Sequence, residues 1–436
     1  MRLAGVAGYD GSPPVARQRG PGGTSVRLRF SISRPPGLHS TLASFRVPGY
    51  PAFWASSAAS AVGWSASLVA IGWIALQVSN SPFAVGATFA ARLAPALLFG
   101  IPFGALGDRF NRRAMLVAVN VLGTACLLGL AAVALAGRLG LTEIIVASLL
   151  LGMVDTLRGT TAQSYAYDLA GNEGATNAIA LSNLGAQLVG AAGGAIGGLV
   201  LDRLGSPAAF SVAAAGSAMA ASVLAGAGRD RLERGGGTRL VPGGQRSMTL
   251  ILRNRPVALI ALAVIFGEVL GFSSLTLYPT FARDILRVDA TGLGTMSAAR
   301  ALGGVCGGLL LAASGLRDRG GVLLLGATGV FGLGILGFAL SDIFLVSLGF
   351  LLIIGAAGSA LDTLGQSLIQ RNVEDRERGA AMGVWFFAIG FGPFGHLGMG
   401  AAGAAIGGPA ALAASGSLLL AACLGLARIT DLRRIR

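Results

Sequence analysis

The chain contains no lysine: all 33 of its basic residues are arginine. A phosphate-binding loop of the Gly-x-x-x-x-Gly-Lys-[Ser/Thr] kind is therefore excluded. Histidine is nearly absent too, with only His39 and His396, so a histidine-rich metal site is not expected. The three cysteines, Cys126, Cys306 and Cys423, all fall in apolar stretches, which argues against both a disulfide framework and a metal cluster. No nucleophile–base pair stands out, so neither an enzyme nor a bound cofactor is expected. Charge is scarce at 12% of residues, against 53% hydrophobic, and the mean hydropathy is +0.72. The lipid bilayer is the expected solvent.

Read with a window of about 19 residues, the apolar segments lie near 52–78, 82–106, 114–136, 142–165, 176–201 and 206–228, then 257–282, 290–314, 322–341, 343–366, 379–406 and 409–427. Each is long enough for an α-helix to cross hydrocarbon. The prediction is an all-α membrane protein of twelve transmembrane helices.

Arginine placement orients the chain. Twenty-six arginines fall in alternate gaps and tails, against four on the other side: Arg138, Arg203, Arg283 and Arg287. The positive-inside rule then places both termini and the central loop in the cytoplasm of a multi-pass plasma (inner) membrane protein. The net charge of +14 would suggest nucleic acid in a soluble protein. Here it lies in cytoplasmic loops, where anionic lipid headgroups are the expected neighbours, and no nucleic-acid partner is expected.

The halves echo each other. Ala90-Ala91-Arg92 matches Ala298-Ala299-Arg300, Leu106-Gly107-Asp108-Arg109 matches Leu316-Arg317-Asp318-Arg319, and Asp155-Thr156-Leu157 matches Asp362-Thr363-Leu364. The three pairs keep their order at separations of 207 to 210 residues, which argues for two six-helix bundles in the same orientation with a working site at their interface. The expected organisation is a disordered cytosolic tail over 1–50, a bundle over 51–228, a linker over 229–256, a bundle over 257–428 and a tail over 429–436. A translation start nearer Phe45 is the alternative reading of the first tail.

Several stretches carry a family resemblance. Gly104-Ala-Leu-Gly107-Asp108-Arg109-Phe-Asn-Arg112-Arg113 resembles the signature between helices two and three of the major facilitator superfamily. Its glycines permit a tight turn, and Asp108 can face the positive end of the next helix. The resemblance implies that this cluster latches one conformation of a transport cycle. Phe45-Arg46 ahead of Phe53-Trp54, Asn80-Ser81-Pro82, Asn177-Ala178-Ile179-Ala180-Leu181 and Val373–Gly379 are similar to the branch of enterobactin exporters and macrolide efflux proteins. The glycine run Gly190–Gly198 lacks the proline of drug antiporters, and small-residue packing explains it equally well.

Ionisable residues inside spans are costly and are functional candidates. Glu268 lies roughly 17 Å into helix seven and is the first candidate proton carrier, against a permanent pairing. Asp155 and Arg158 can touch on one helical face, either neutralising each other or meeting substrate. Asp362 repeats Asp155 and is placed nearer the cytosolic mouth; both are further proton-coupling candidates. Arg92 and Arg300 either face one cavity and hold an anionic substrate, or snorkel to headgroups. His396 is a lesser cavity candidate, with packing the plainer reading. The expected activity is proton-coupled export of a small organic molecule (a drug, siderophore or other secondary metabolite) by a monomer through alternating access. Import or facilitation by the same fold, or a non-transporting sensor or scaffold, are the alternatives.

Overall fold

The computed structural model describes residues 43–107, 110–227, 244–313, 319–374 and 377–428. The first spans are α1 (Tyr50–Ser79), α2 (Pro82–Gly107) and α3 (Arg112–Leu135). Helix then continues over Leu141–Gly226, broken by Gly171 and Gly205 with φ of 66° and 79° and extended ψ. That region of φ/ψ space is open essentially to glycine alone, so each residue reverses the chain with no loop. The result is α4 (141–170), α5 (172–204) and α6 (206–226). The second half comprises α7 (Arg255–Ile285), α8 (Ala290–Ala313), α9 (Gly320–Ala339), α10 (Phe344–Arg371), α11 (Ala380–Ile406) and α12 (Gly408–Ala427).

Ten stretches of the described residues are long and apolar enough to cross a membrane. One of them, Asn177–Gly226, is two spans joined at Gly205, and 141–170, with its internal charges, completes twelve. The protein is an all-helical, multi-pass membrane protein whose twelve helices form two related six-helix bundles. Hydrocarbon thickness fixes the lengths, which is why the apolar windows and the helices coincide within a few residues.

Two expectations need correction at their edges. The tail predicted to be unstructured through residue 50 contains a 3₁₀ turn, Ala43–Arg46, and α1 already starts at Tyr50. Phe45 stacks edge-on against Tyr50 and Trp54, each 5.5 Å away. The predicted linker ends in a short amphipathic helix, Gly244–Arg253, tied to α11 by the Ser247 hydroxyl donating to the Ala380 carbonyl at 2.9 Å. The remaining tails and linker, and residues 316–318 of the stretch that matches 106–109, lie outside the described residues.

Glycine sets the helix spacing. A β-carbon at Gly193 would stand 2.6 Å from Val62, and one at Gly197 2.7 Å from Ala66, so this face of α5 lies directly on α1. On its other face Gly194 and Gly198 meet Gly294 and Ala290 of α8, in the opposite half. The glycine run is thus a two-sided packing seam. Gly86 of α2 similarly meets His396 and Gly400 of α11. These close contacts between halves lie at the end of the bundle that carries the Asn80–Ser81 turn.

Two motif stretches that lie far apart in sequence meet in space. The Tyr50 hydroxyl donates to the Ala178 carbonyl at 2.8 Å, and the Trp54 indole donates to the Leu181 carbonyl at 3.1 Å. The start of α1 is thereby fixed to the start of α5.

Candidate functional site

The charges within the spans gather into two clusters, one in each half. In the first, Arg92 of α2 is 6% exposed and reaches Asp155 of α4 at 2.9 Å. Asp155 also receives Arg158 at 2.9 Å, one turn along the same helix. Arg92 donates further to the Ser67 hydroxyl of α1 at 3.1 Å. Next to them the Ser60 hydroxyl donates to the Asn120 side chain at 3.0 Å. The space left in the cluster is about 10 Å³, room for about one water. Arg92 is therefore an ion-paired, closely packed residue here.

The second cluster is looser. Arg300 of α8 lies within electrostatic reach of Glu268 and Tyr278 of α7 and of His396 of α11, and Glu268 in turn lies within reach of Asp362 of α10. Among the described residues no ion pair within 4 Å joins Arg300, Glu268 or Asp362 to an opposite charge. The Arg300 guanidinium instead lies over the Phe272 ring, 5.7 Å from its centroid. Glu268 sits in a π-helical turn, Gly267–Gly271, followed by the 3₁₀ segment Phe272–Leu277; such departures from α-geometry are frequent at functional sites. A β-carbon at Gly392 of α11 would stand 3.5 Å from Glu268 Oε2 and 3.3 Å from Leu93 of α2. The carboxylate thus lies beside the boundary between the halves.

The reason for the difference between clusters is a shift of one helical turn. Gly152 of α4 packs on the Arg92 carbonyl, and Gly355 of α10 packs on the Arg300 carbonyl. Three residues after Gly152 comes Asp155; three residues after Gly355 comes Gly358, not Asp362. The matching Asp-Thr-Leu strings are therefore not equivalent in packing. Asp362 lies about 6 Å further along its helix, where it neighbours Glu268 and Trp385. The place of the missing acid is taken by the Phe272 ring, 3.2 Å from a β-carbon at Gly358.

His396 is 4% exposed. Its Nδ1 pairs with the Thr276 hydroxyl at 2.7 Å, and its ring lies 5.7 Å from Phe89. It joins α7 and α11 to α2 at the boundary between halves. In the signature after α2, Asp108 and Arg109 lie outside the described residues. Arg112 pairs with Asp168 of α4, and Arg113 donates to the carbonyls of Leu224 at 2.8 Å, Ala225 at 3.2 Å and Ala227. Both arginines thus bind the end of α3 to neighbours in their own half, with Arg113 on the negative end of α6.

Sequence reading missed Phe272, Tyr278 and Trp385. The Trp385 indole N–H is shut off from solvent beside the Asp362 carboxylate. Aromatic residues merge with the apolar pattern of a span, and only a broken apolar run would have marked them.

Comparison with known proteins fits this geometry. The model of the Major Facilitator Superfamily matches residues 53–394. Solved structures share the fold at low identity. A bacterial homologue of the human lysosomal transporter Spinster is 15% identical with a TM-score of 0.67, the match covering 88% of this chain and 95% of that one. The nucleoside transporter NupG is 13% identical with a TM-score of 0.70, covering 88% and 99%. A POT family transporter in complex with 5-aminolevulinic acid is 12% identical with a TM-score of 0.70, covering 90% and 99%. No curated protein sequence matches the chain. With the twelve-helix, two-bundle architecture and the family model spanning most of its length, the chain belongs to the Major Facilitator Superfamily.

Proposed function

We propose that the protein is a secondary transporter of a small organic molecule, coupled to protons and working by alternating access in the plasma (inner) membrane. The observation that carries this reading is Glu268, an ionisable group in mid-span, without an ion-pair partner among the described residues, beside the boundary between the halves. A carboxylate so placed can take a proton from one side and release it to the other as the halves rock. The arginine distribution supports cytoplasmic termini, and a monomer of two bundles supplies a complete pathway. An enzymatic role has no support in either cluster.

The motif resemblance supports export by antiport, with a drug, siderophore or other secondary metabolite as cargo. Arg300, without an ion-pair partner among the described residues, favours a second reading, uptake, because an organic anion held there is welcomed by a proton on Glu268. Structural neighbours named for nucleosides and for bound 5-aminolevulinic acid support a small, polar organic cargo in either direction.

Everted vesicles with an acid interior and an enclosed pH-sensitive dye test the coupling. Siderophores, macrolides and lipophilic cations are added to wild type and to Glu268→Gln. Substrate-triggered proton efflux that vanishes in the variant is expected. Gradient-driven accumulation that survives Glu268→Gln removes Glu268 from the role of proton carrier.

A further inference from the structure

The two halves treat equivalent arginines differently. Arg92 is shielded and neutralised by Asp155. Arg300 holds the same packing position, on Gly355 as Arg92 is on Gly152, but it is half-buried and has Gly358 where the acid would be. A cation inside a span is costly unless something balances it. We propose that the balancing group is supplied by the substrate: Arg300 seats the carboxylate of an organic acid with an apolar or aromatic body. The inference rests on the transporter reading for its context and deepens it by naming the substrate class.

Chemistry and surroundings agree. A guanidinium offers a planar fork that takes a carboxylate through two parallel hydrogen bonds. One face of the Arg300 guanidinium already lies over Phe272, and one N–H is turned to the Tyr278 hydroxyl, which leaves the rest of its N–H edge for a ligand. The fully buried Tyr278 hydroxyl lies beside that guanidinium and holds its orientation. The Phe272 ring, backed edge to face by the fully buried Phe331 5.2 Å away, supplies an apolar wall for the rest of the molecule.

The site also couples substrate to proton, with a definite sign. The groups that face Arg300 are Glu268 and Tyr278 from α7 and His396 from α11, while Asp362 from α10 acts on Glu268. An ionised Glu268 repels an incoming carboxylate and competes with it for Arg300. Protonation of Glu268 removes both effects. Acid and proton therefore strengthen each other's binding, as linkage requires, and the affinity for an organic acid rises as pH falls. A pair that binds together travels together, so the inward proton gradient drives uptake.

The test is equilibrium dialysis of the full chain in nanodiscs of zwitterionic lipid. The probes are 1-naphthaleneacetate, its neutral isostere 1-naphthaleneacetamide, and 1-(1-naphthyl)ethylamine. Wild type is expected to bind the acid about ten-fold or more tighter than the amide, a difference of about 1.4 kcal/mol. Arg300→Gln should abolish that preference while keeping the weak amide binding, which also reports a folded site. Gly358→Asp displaces the Phe272 ring that fills this place but keeps Arg300 and gives it the acid that Arg92 has, and should abolish the preference equally. In Glu268→Gln the acid should bind tightly at every pH.

Equal binding of acid and amide by wild type, no binding of the acid, tighter binding of the amine, or a preference that survives Arg300→Gln would overturn the assignment. A pH dependence that persists in Glu268→Gln would overturn the coupling. Gradient-driven transport of other cargo without acid selectivity would remove this inference and leave the transporter reading standing. Acid-selective binding without any transport would do the reverse.

Discussion

Arg92 and Asp155 face each other at 2.9 Å across two spans of one half, and the pair holds a second arginine, Arg158, in the same grip. Removing the shared acid leaves two cations in a low-dielectric interior. Asp155→Asn should destabilise the protein by about 3–5 kcal/mol, the range for breaking a buried ion pair. The midpoint of thermal unfolding in detergent checks this. The triple replacement Arg92→Met, Asp155→Leu and Arg158→Met should recover much of the loss, because apolar residues of similar volume often substitute for a buried ionic cluster.

The seam between α5 and α8 has no room for a side chain. Gly198→Ala would press a methyl group into the Ala290 carbonyl, with overpacking of about 1–3 kcal/mol, and only where this end of the bundle is shut. The substitution should shift the population toward conformers parted at this end. The Thr291 hydroxyl donates to Asp202 at 3.3 Å across the same seam. Spin labels on cysteines at 202 and 291, in a background without the native cysteines, should therefore report a longer distance in the variant. An unchanged distance distribution would count against a seam that opens and closes.

Arg113 is expected to hold α6 rather than act only in a conformational latch. Arg113→Gln loses charge-assisted hydrogen bonds to the last carbonyls of that helix, worth about 1.5–3 kcal/mol for a charged donor. Hydrogen exchange should rise first at 223–227. Exchange that rises uniformly, or not at all, would remove this role.

The Thr276–His396 hydrogen bond is expected to be structural. Thr276→Val should cost about 1–3 kcal/mol by leaving a buried ring nitrogen unpaired. It should leave the ranking of transported substrates unchanged in a competition assay.

Most of the fold was legible because a bilayer imposes one length on every span and sorts arginine by side. The hairpin reversals at Gly171 and Gly205 were not, since a helix resuming one residue after a break looks in sequence like any short polar gap. Glu268, Asp155 and Arg158 were legible as charges among apolar residues, and three-residue spacing brought the last two together. The repeated Asp-Thr-Leu string marked the two halves and not an equivalent packing, because identical letters say nothing about how far one helix has slid along another. That slide, one turn of α10 against α8, leaves Asp362 out of reach of Arg300. Residues whose importance rests on such slides, Gly358 and Phe272 among them, carry no mark in their own sequence.

The wide turn at Gly267–Gly271 has a mechanical consequence. A π turn holds one residue more than an α turn, so it is a surplus that a helix can hand along its length. Passing that surplus to the other side of Glu268 would swing the carboxylate about 100° around the axis, one residue's angular step, while both ends of α7 stay where they are. A charge could change the compartment it addresses by a local rewinding, with far less displacement than the rocking of a whole bundle.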